Sequence, residues 1–254
     1  MSASIYFKLG IAAAIAVTAC SPQQGSNREG TAAPTSDRAA IQAPLVQERF
    51  IGMLPCADCP GMRTELLLNH ETGHSDGEYI LTETYLGRND TPHVSQGVYT
   101  TLKGTEKDSA AQLIQLNPGK NTFFNYLKLD DETLASCGKM EYPPRSNGSL
   151  SFTLNKIKQE PKVMEGMFRY TPEQPMFMLC GSKTMYPVSG KAMYRYVEQL
   201  YLYKRTLPKE AMHLSCEGVI DTITGNAAAR VPGLIITNIK TLENKPCPAA
   251  PARN

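Results

Sequence analysis

Two thiols at C-x-x-C spacing, Cys56 and Cys59 in Leu54-Pro55-Cys56-Ala57-Asp58-Cys59-Pro60-Gly61, are the side chains whose type and spacing most directly suggest chemistry. Such a pair can close a small disulfide, exchange electrons, or offer two soft ligands to Cu(I) or Zn(II). Thioredoxin-like exchange sets the first Cys at a helix N-terminus, where the dipole favours the thiolate. Here Pro60-Gly61 and the strand-like Arg63-Thr64-Glu65-Leu66-Leu67-Leu68 follow, so a resting disulfide is expected ahead of a thiolate metal site or redox switch. A second soft-donor set is Met164, Met167, Met176, Met178, Met185 and Met193. Thioethers suit Cu(I), and Met176 and Met178 are the metal candidates among them. Their i, i+2 spacing also reads as a shared strand face filling a core, which is the expectation adopted. His70 and His74 flank Glu71-Thr72-Gly73, a hairpin turn rather than a helical pair of ligands, and His93 and His213 have no partners in sequence. No nucleophile elbow, phosphate loop or paired-carboxylate pattern occurs, so the chain is not expected to be an enzyme. No cofactor is demanded; copper is the one these donors would take.

The chain opens MSASIYFKLGIAAAIAVTAC, with Lys8 ahead of an apolar run from Leu9 to Ala19. That run is too short to span a bilayer and reads as an export signal over residues 1–19. Val17-Thr18-Ala19-Cys20 resembles a bacterial lipobox, which makes Cys20 the lipidated first residue of the mature chain. Acyl chains bury about 0.8 kcal/mol per CH₂, so several of them anchor a protein without a membrane-spanning helix. Ser21 in the next position implies, by the same resemblance, the outer membrane with a periplasm-facing body. Residues 20–47 are rich in Ser, Gln, Gly, Ala and Pro and read as a flexible tether. The whole chain of 254 residues has 26 basic and 24 acidic side chains; losing Lys8 leaves 25 against 24. A body so near neutrality has no field to hold a polyphosphate, which excludes nucleic acid as a partner. Of seven cysteines, Cys20 carries lipid, and the other six enter an oxidising compartment.

The remainder reads as mainly β. Across residues 48–158, strand-like runs at Arg63–Leu68, Tyr79–Leu86, Gly97–Leu102, Gln112–Leu116, Phe123–Leu129 and Ser151–Ile157 are separated by turns, as in an up-and-down barrel. Lys158-Gln159-Glu160-Pro161 is a polar boundary. Over residues 162–248, strands at Gly166–Tyr170, Met176–Cys180 and Thr184–Val188, a helix from about Lys191 to Lys204, and strands at Met212–Ile220 and Gly233–Ile239 follow the order of an OB-type barrel. Residues 249–254 are a tail.

These motifs resemble the NlpE family of outer-membrane lipoproteins. The likeness rests on Gly52-Met53-Leu54-Pro55-Cys56-Ala57-Asp58-Cys59-Pro60-Gly61 with Thr64-Glu65-Leu66-Leu67-Leu68, on Tyr85-Leu86-Gly87-Arg88 and Gly97-Val98-Tyr99, and on Glu165-Gly166-Met167-Phe168-Arg169-Tyr170, Phe177-Met178-Leu179-Cys180 and Glu217-Gly218. It implies a lipocalin-like N-terminal barrel followed by an OB domain. It also implies copper- or envelope-stress-responsive signalling to a Cpx-type sensor histidine kinase, and a disulfide between Cys180 and Cys247. Cys137 and Cys216 depart from the family pattern; they either pair with each other across the domains or stay free. The expected function is an envelope-stress sensor, with a copper-binding lipoprotein as the alternative and a thiol oxidoreductase behind it.

Overall fold

The structure, a computed structural model, describes residues 44–88, 91–145, 150–225 and 229–248. The export segment, Cys20, the tether up to residue 43 and the tail from residue 249 lie outside the described residues. Eight antiparallel strands close into a barrel: β1 Leu45–Leu54, β2 Met62–Glu71, β3 Gly77–Tyr85, β4 His93–Lys103, β5 Gln112–Leu116, β6 Phe124–Asp130, β7 Thr133–Gly138 and β8 Thr153–Ile157. Each pairs with the next, and β1 closes on β8 through Arg49↔Ile157, Phe50↔Lys156 and Ile51↔Asn155. Alternation in β3 sends Tyr79 and Leu81 inward, where they meet Phe50, Leu66, Leu68, Tyr99, Leu116, Tyr126 and Leu154. The interior is therefore a packed core.

Two barrel strands absent from the sequence reading, β1 and β7, are buried on both faces over part of their length. In β1, Phe50 and Leu54 point into the barrel while Ile51 and Met53 point out of it, yet all four are buried. In β7, Leu134, Ala135, Ser136 and Cys137 are all buried. A strand covered on both faces reads as a continuous run rather than an alternating one. The tether also ends earlier than expected, because Leu45, Val46 and Gln47 already pair with Glu71, His70 and Asn69.

The second sheet comprises β9 Lys162–Arg169, β10 Met176–Leu179, β11 Met185–Pro187, β12 Ala211–Thr224 and β13 Arg230–Glu243, in the order β11-β10-β9-β12-β13. A parallel bridge from Val188 to Leu234, reinforced by Ser189 N–H donating to the Leu234 carbonyl at 2.8 Å, joins the first edge to the last. A three-strand meander, a helix and a returning hairpin that closes in parallel on the third strand make the OB topology. The helix α1, Tyr194–Lys204, buries Tyr194, Val197 and Tyr201 against Phe168, Phe177, Met193, Met212, Leu214 and Leu234.

Barrel and second sheet share one compact unit. Ile51 and Ile157 of the barrel pack with Val219, Ile223 and Ile235 of the second sheet and with Ala192 just ahead of α1. Three polar contacts cross this junction: Arg63 Nε donates to the Thr237 carbonyl at 2.8 Å, Ala192 N–H donates to Asn155 Oδ1 at 2.8 Å, and Lys191 Nζ reaches Glu132 at 2.8 Å. Glu132 also pairs with Lys158 at 2.6 Å, and the two ammoniums hold its carboxyl down to about 2.

One outcome follows from the closure of the barrel and one from this junction. A Cβ at Gly52 would drive into the Thr153 carbonyl and the Leu154 side chain, both on the neighbouring strand β8. Gly52→Ala is therefore expected to lower stability by about 2 kcal/mol in urea denaturation, as overpacking does. Glu132 titrates below its ordinary value of 4.5 when folded, so its stabilising effect is complete above that value and is lost as pH falls towards about 2. Glu132→Gln should flatten the acid limb of the unfolding midpoint across that window and leave the neutral region displaced downward.

Candidate functional site: an exposed disulfide and a soft-ligand face

The C-x-x-C segment is the connection between β1 and β2, at one end of the barrel. Cys56 and Cys59 are joined as a disulfide with Cα atoms 5.4 Å apart. Both are half-buried, between exposed Ala57 and Asp58. The adjacent β3–β4 connection braces this loop: Leu86 N–H donates to the Gly61 carbonyl at 3.1 Å, and Arg88 forms an ion pair with Asp58. Gly87 takes φ +71° to bring Arg88 round, a conformation that side-chain-bearing residues rarely adopt. No helix begins at this loop, so neither sulfur receives a helix dipole.

The two sulfurs and the Asp58 carboxylate all lie within 4.8 Å of one another. In the disulfide neither sulfur is a thiolate. Two electrons and two protons convert the bond to two thiols, and the loop would then present two sulfur donors and one oxygen, a set that fits a thiophilic cation. Asp58 and Arg88 are exposed and partly neutralise each other, so the loop carries no large field of its own.

The other cysteines divide by exposure. Cys180, just beyond β10, is joined to Cys247, beyond β13, with Cα atoms 5.6 Å apart and 67 positions apart in sequence. In the chain-entropy model, closing a loop of that length is worth about 4 kcal/mol. Cys137 and Cys216 are free and buried, in β7 and in β12 respectively. Burial pushes the Cys137 thiol up to about 11 and the Cys216 thiol up to about 12. The choice left open by the sequence falls on separate thiols, each within its own strand's packing.

Met176 and Met178 do share a strand face, but it is the face turned away from the core. Phe177 between them is the fully buried residue, and it meets Phe168 across the sheet. Core filling belongs instead to Met193 and Met212, with Met164 packed beside them. His70 closes β2 with Nδ1 3.0 Å from the Glu71 carbonyl oxygen, and His74 sits in the exposed hairpin turn that follows. His93 opens β4 and is exposed. His213 is different. It lies in β12 at 2% exposure, and neither ring nitrogen has a hydrogen-bond partner among the described residues. Local sequence carried no cue to this, because its neighbours come from strand register.

A closed up-and-down barrel followed by an OB barrel, with an exposed disulfide loop at the end of the first, defines a two-domain β protein. Residues 50–147 match the NlpE N-terminal domain and residues 158–247 match the NlpE C-terminal OB domain. The chain belongs to the NlpE family. It is 26% identical over 231 residues to Lipoprotein NlpE of Escherichia coli (strain K12), covering 90% of this chain and 91% of that protein. The crystal structure of the Cpx pathway activator NlpE from Escherichia coli is similar at 23% identity, covering 79% of this chain and 97% of that one, with a TM-score of 0.31.

The thiol assignments predict a labelling pattern. With disulfides intact, maleimide at pH 8 should modify neither Cys137 nor Cys216 in the folded chain and both after denaturation in guanidinium, read by mass spectrometry. Their buried, raised thiols provide little thiolate at that pH.

Proposed function

We propose that this protein is a lipid-anchored, periplasm-facing envelope-stress sensor of the outer membrane that activates a Cpx-type sensor histidine kinase. In this reading residues 1–19 are removed on export, Cys20 carries the acyl chains, and residues 20–47 tether a barrel over 48–158 and an OB domain over 162–248. The protein works by contact and carries out no catalysis. The observation that carries the reading is the placement of the cysteines. One exposed disulfide loop stands at an end of the barrel, one long-range disulfide ties the OB domain, and the remaining two thiols are buried. Bonds that a change of redox conditions can reach are thus one per domain, while the unpaired thiols stay out of exchange. The similarity to Lipoprotein NlpE of Escherichia coli over nine-tenths of both chains supports the same reading.

A second reading, a copper-binding lipoprotein, is favoured by the sulfur and carboxylate donors of Cys56, Cys59 and Asp58 gathered within 4.8 Å. It requires the reduced loop, whereas the sensor reading uses the disulfide itself. A thiol oxidoreductase has less support, since the loop lacks a helix N-terminus to lower a thiol pKa.

Retention near the inner membrane should bring the body within reach of a kinase there. Cys20→Ala is expected to raise a Cpx-responsive promoter several-fold over the wild-type chain at equal expression. A reporter unchanged by that substitution and by overexpression of the wild-type chain would remove the sensor reading.

A further inference from the structure

One cross-strand row on the outer face of the OB sheet gathers soft donors. Register places Met185 of β11 opposite Met178 of β10, Met178 opposite Met167 of β9, and Met167 opposite His213 of β12. Directly paired residues project from the same face, with neighbouring Cβ atoms about 5 Å apart. The residues beside them fix which face this is. Tyr186, Phe177, Phe168 and Leu214 all contribute to the hydrophobic core, so the row with the opposite parity points away from it. Three thioethers and one imidazole therefore line up across four strands.

The row runs from open to covered. Met185 is 49% exposed on the edge strand, Met178 and Met167 are half-buried, and His213 is 2% exposed. Both His213 nitrogens are without a hydrogen-bond partner, although a buried polar group left unpaired costs free energy. The carboxylate opposite it across the next pair, Glu243, is engaged with Lys245. An imidazole nitrogen so placed is free to act as a ligand, with the thioethers on one side of it along the row and the Lys245-paired carboxylate of Glu243 on the other. Imidazole with thioethers selects a soft cation over Mg²⁺ or Ca²⁺. The face also comprises the first three strands of the OB fold, the region where such barrels receive ligands.

We propose that His213, Met167 and Met178 form a binding site for a soft monovalent metal ion, with Met185 at its entrance. The site is separate from the Cys56–Cys59 loop and needs no reduced thiol. It also stands independently of whether the protein signals to a kinase. Cys180 follows Met178 by two positions, and its N–H still bonds to the Glu165 carbonyl at 2.9 Å, so strand alternation carries its side chain to the same face. The disulfide to Cys247 consequently brings the segment after β13 back to this face, beside the proposed site.

The test is titration of the full chain in detergent, with both disulfides intact, by Ag(I), a redox-inert soft cation. The readouts are the ¹³C methyl resonances of methionine and the ¹⁵N resonances of the imidazoles. The first equivalent should shift Met167, Met178 and His213 together and leave Met193 and Met212 in place. Met178→Leu and His213→Phe should each weaken binding at least ten-fold with the remaining methyl spectrum unchanged. Met178 is half-buried and Leu is close to it in volume, so that variant carries the test if His213→Phe disturbs the fold. The proposal is overturned if Ag(I) moves none of the three, if Zn(II) moves them equally, or if the signals follow only Cys137 and Cys216.

Discussion

The structure depends on β1 being covered on both faces. Its inward residues, Phe50 and Leu54, help fill the barrel, while Ile51 and Met53 on the other face enter the packing of the second domain. A strand in this position leaves no solvent-facing side to absorb polar substitutions, and Gly52 within it has no room even for a Cβ. Barrel closure and domain docking are thereby coupled through one five-residue stretch. The buried Arg63 is tolerated beside it because its guanidinium is satisfied twice, by the Thr237 carbonyl and by Glu65 at 2.8 Å. The C-x-x-C loop begins directly after this strand, so on one side it is anchored to a segment packed on both faces.

Sulfur chemistry is distributed according to solvent access. The two disulfides sit in connections or beyond strand ends, where a reductant can approach them. The two free thiols lie within strands, and desolvation keeps them in the neutral, unreactive form. The methionines divide in the same way. Met193 and Met212 fill the OB core, while Met167, Met176, Met178 and Met185 occupy the opposite face of the sheet. A single residue of register decides between these fates, because adjacent strand positions face opposite sides.

Much of the architecture was legible in the chain. Alternation in Tyr79–Tyr85, the turns around Gly73 and Gly119, and the apolar period through Val197 and Tyr201 reflect local physics, and the corresponding strands and helix are present. β1 and β7 were not legible, because burial on both faces erases the alternation by which a strand is recognised. The mistaken core role for Met176 and Met178 has a related cause. Their shared face follows from spacing, but which side of the sheet is filled by α1 and the returning hairpin is not written in those positions.

The sequence by itself determined the class of protein: a lipobox-like start, near-neutral charge, two β-rich blocks and a C-x-x-C loop ahead of a strand. These are short-range properties of composition, period and spacing. Only the tertiary structure decided that Cys137 and Cys216 remain apart as buried thiols, that Arg88 pairs with Asp58, and that His213 joins a row of thioethers. The partners in each case are separated by tens of residues and are set by strand register and packing. No local pattern encodes them.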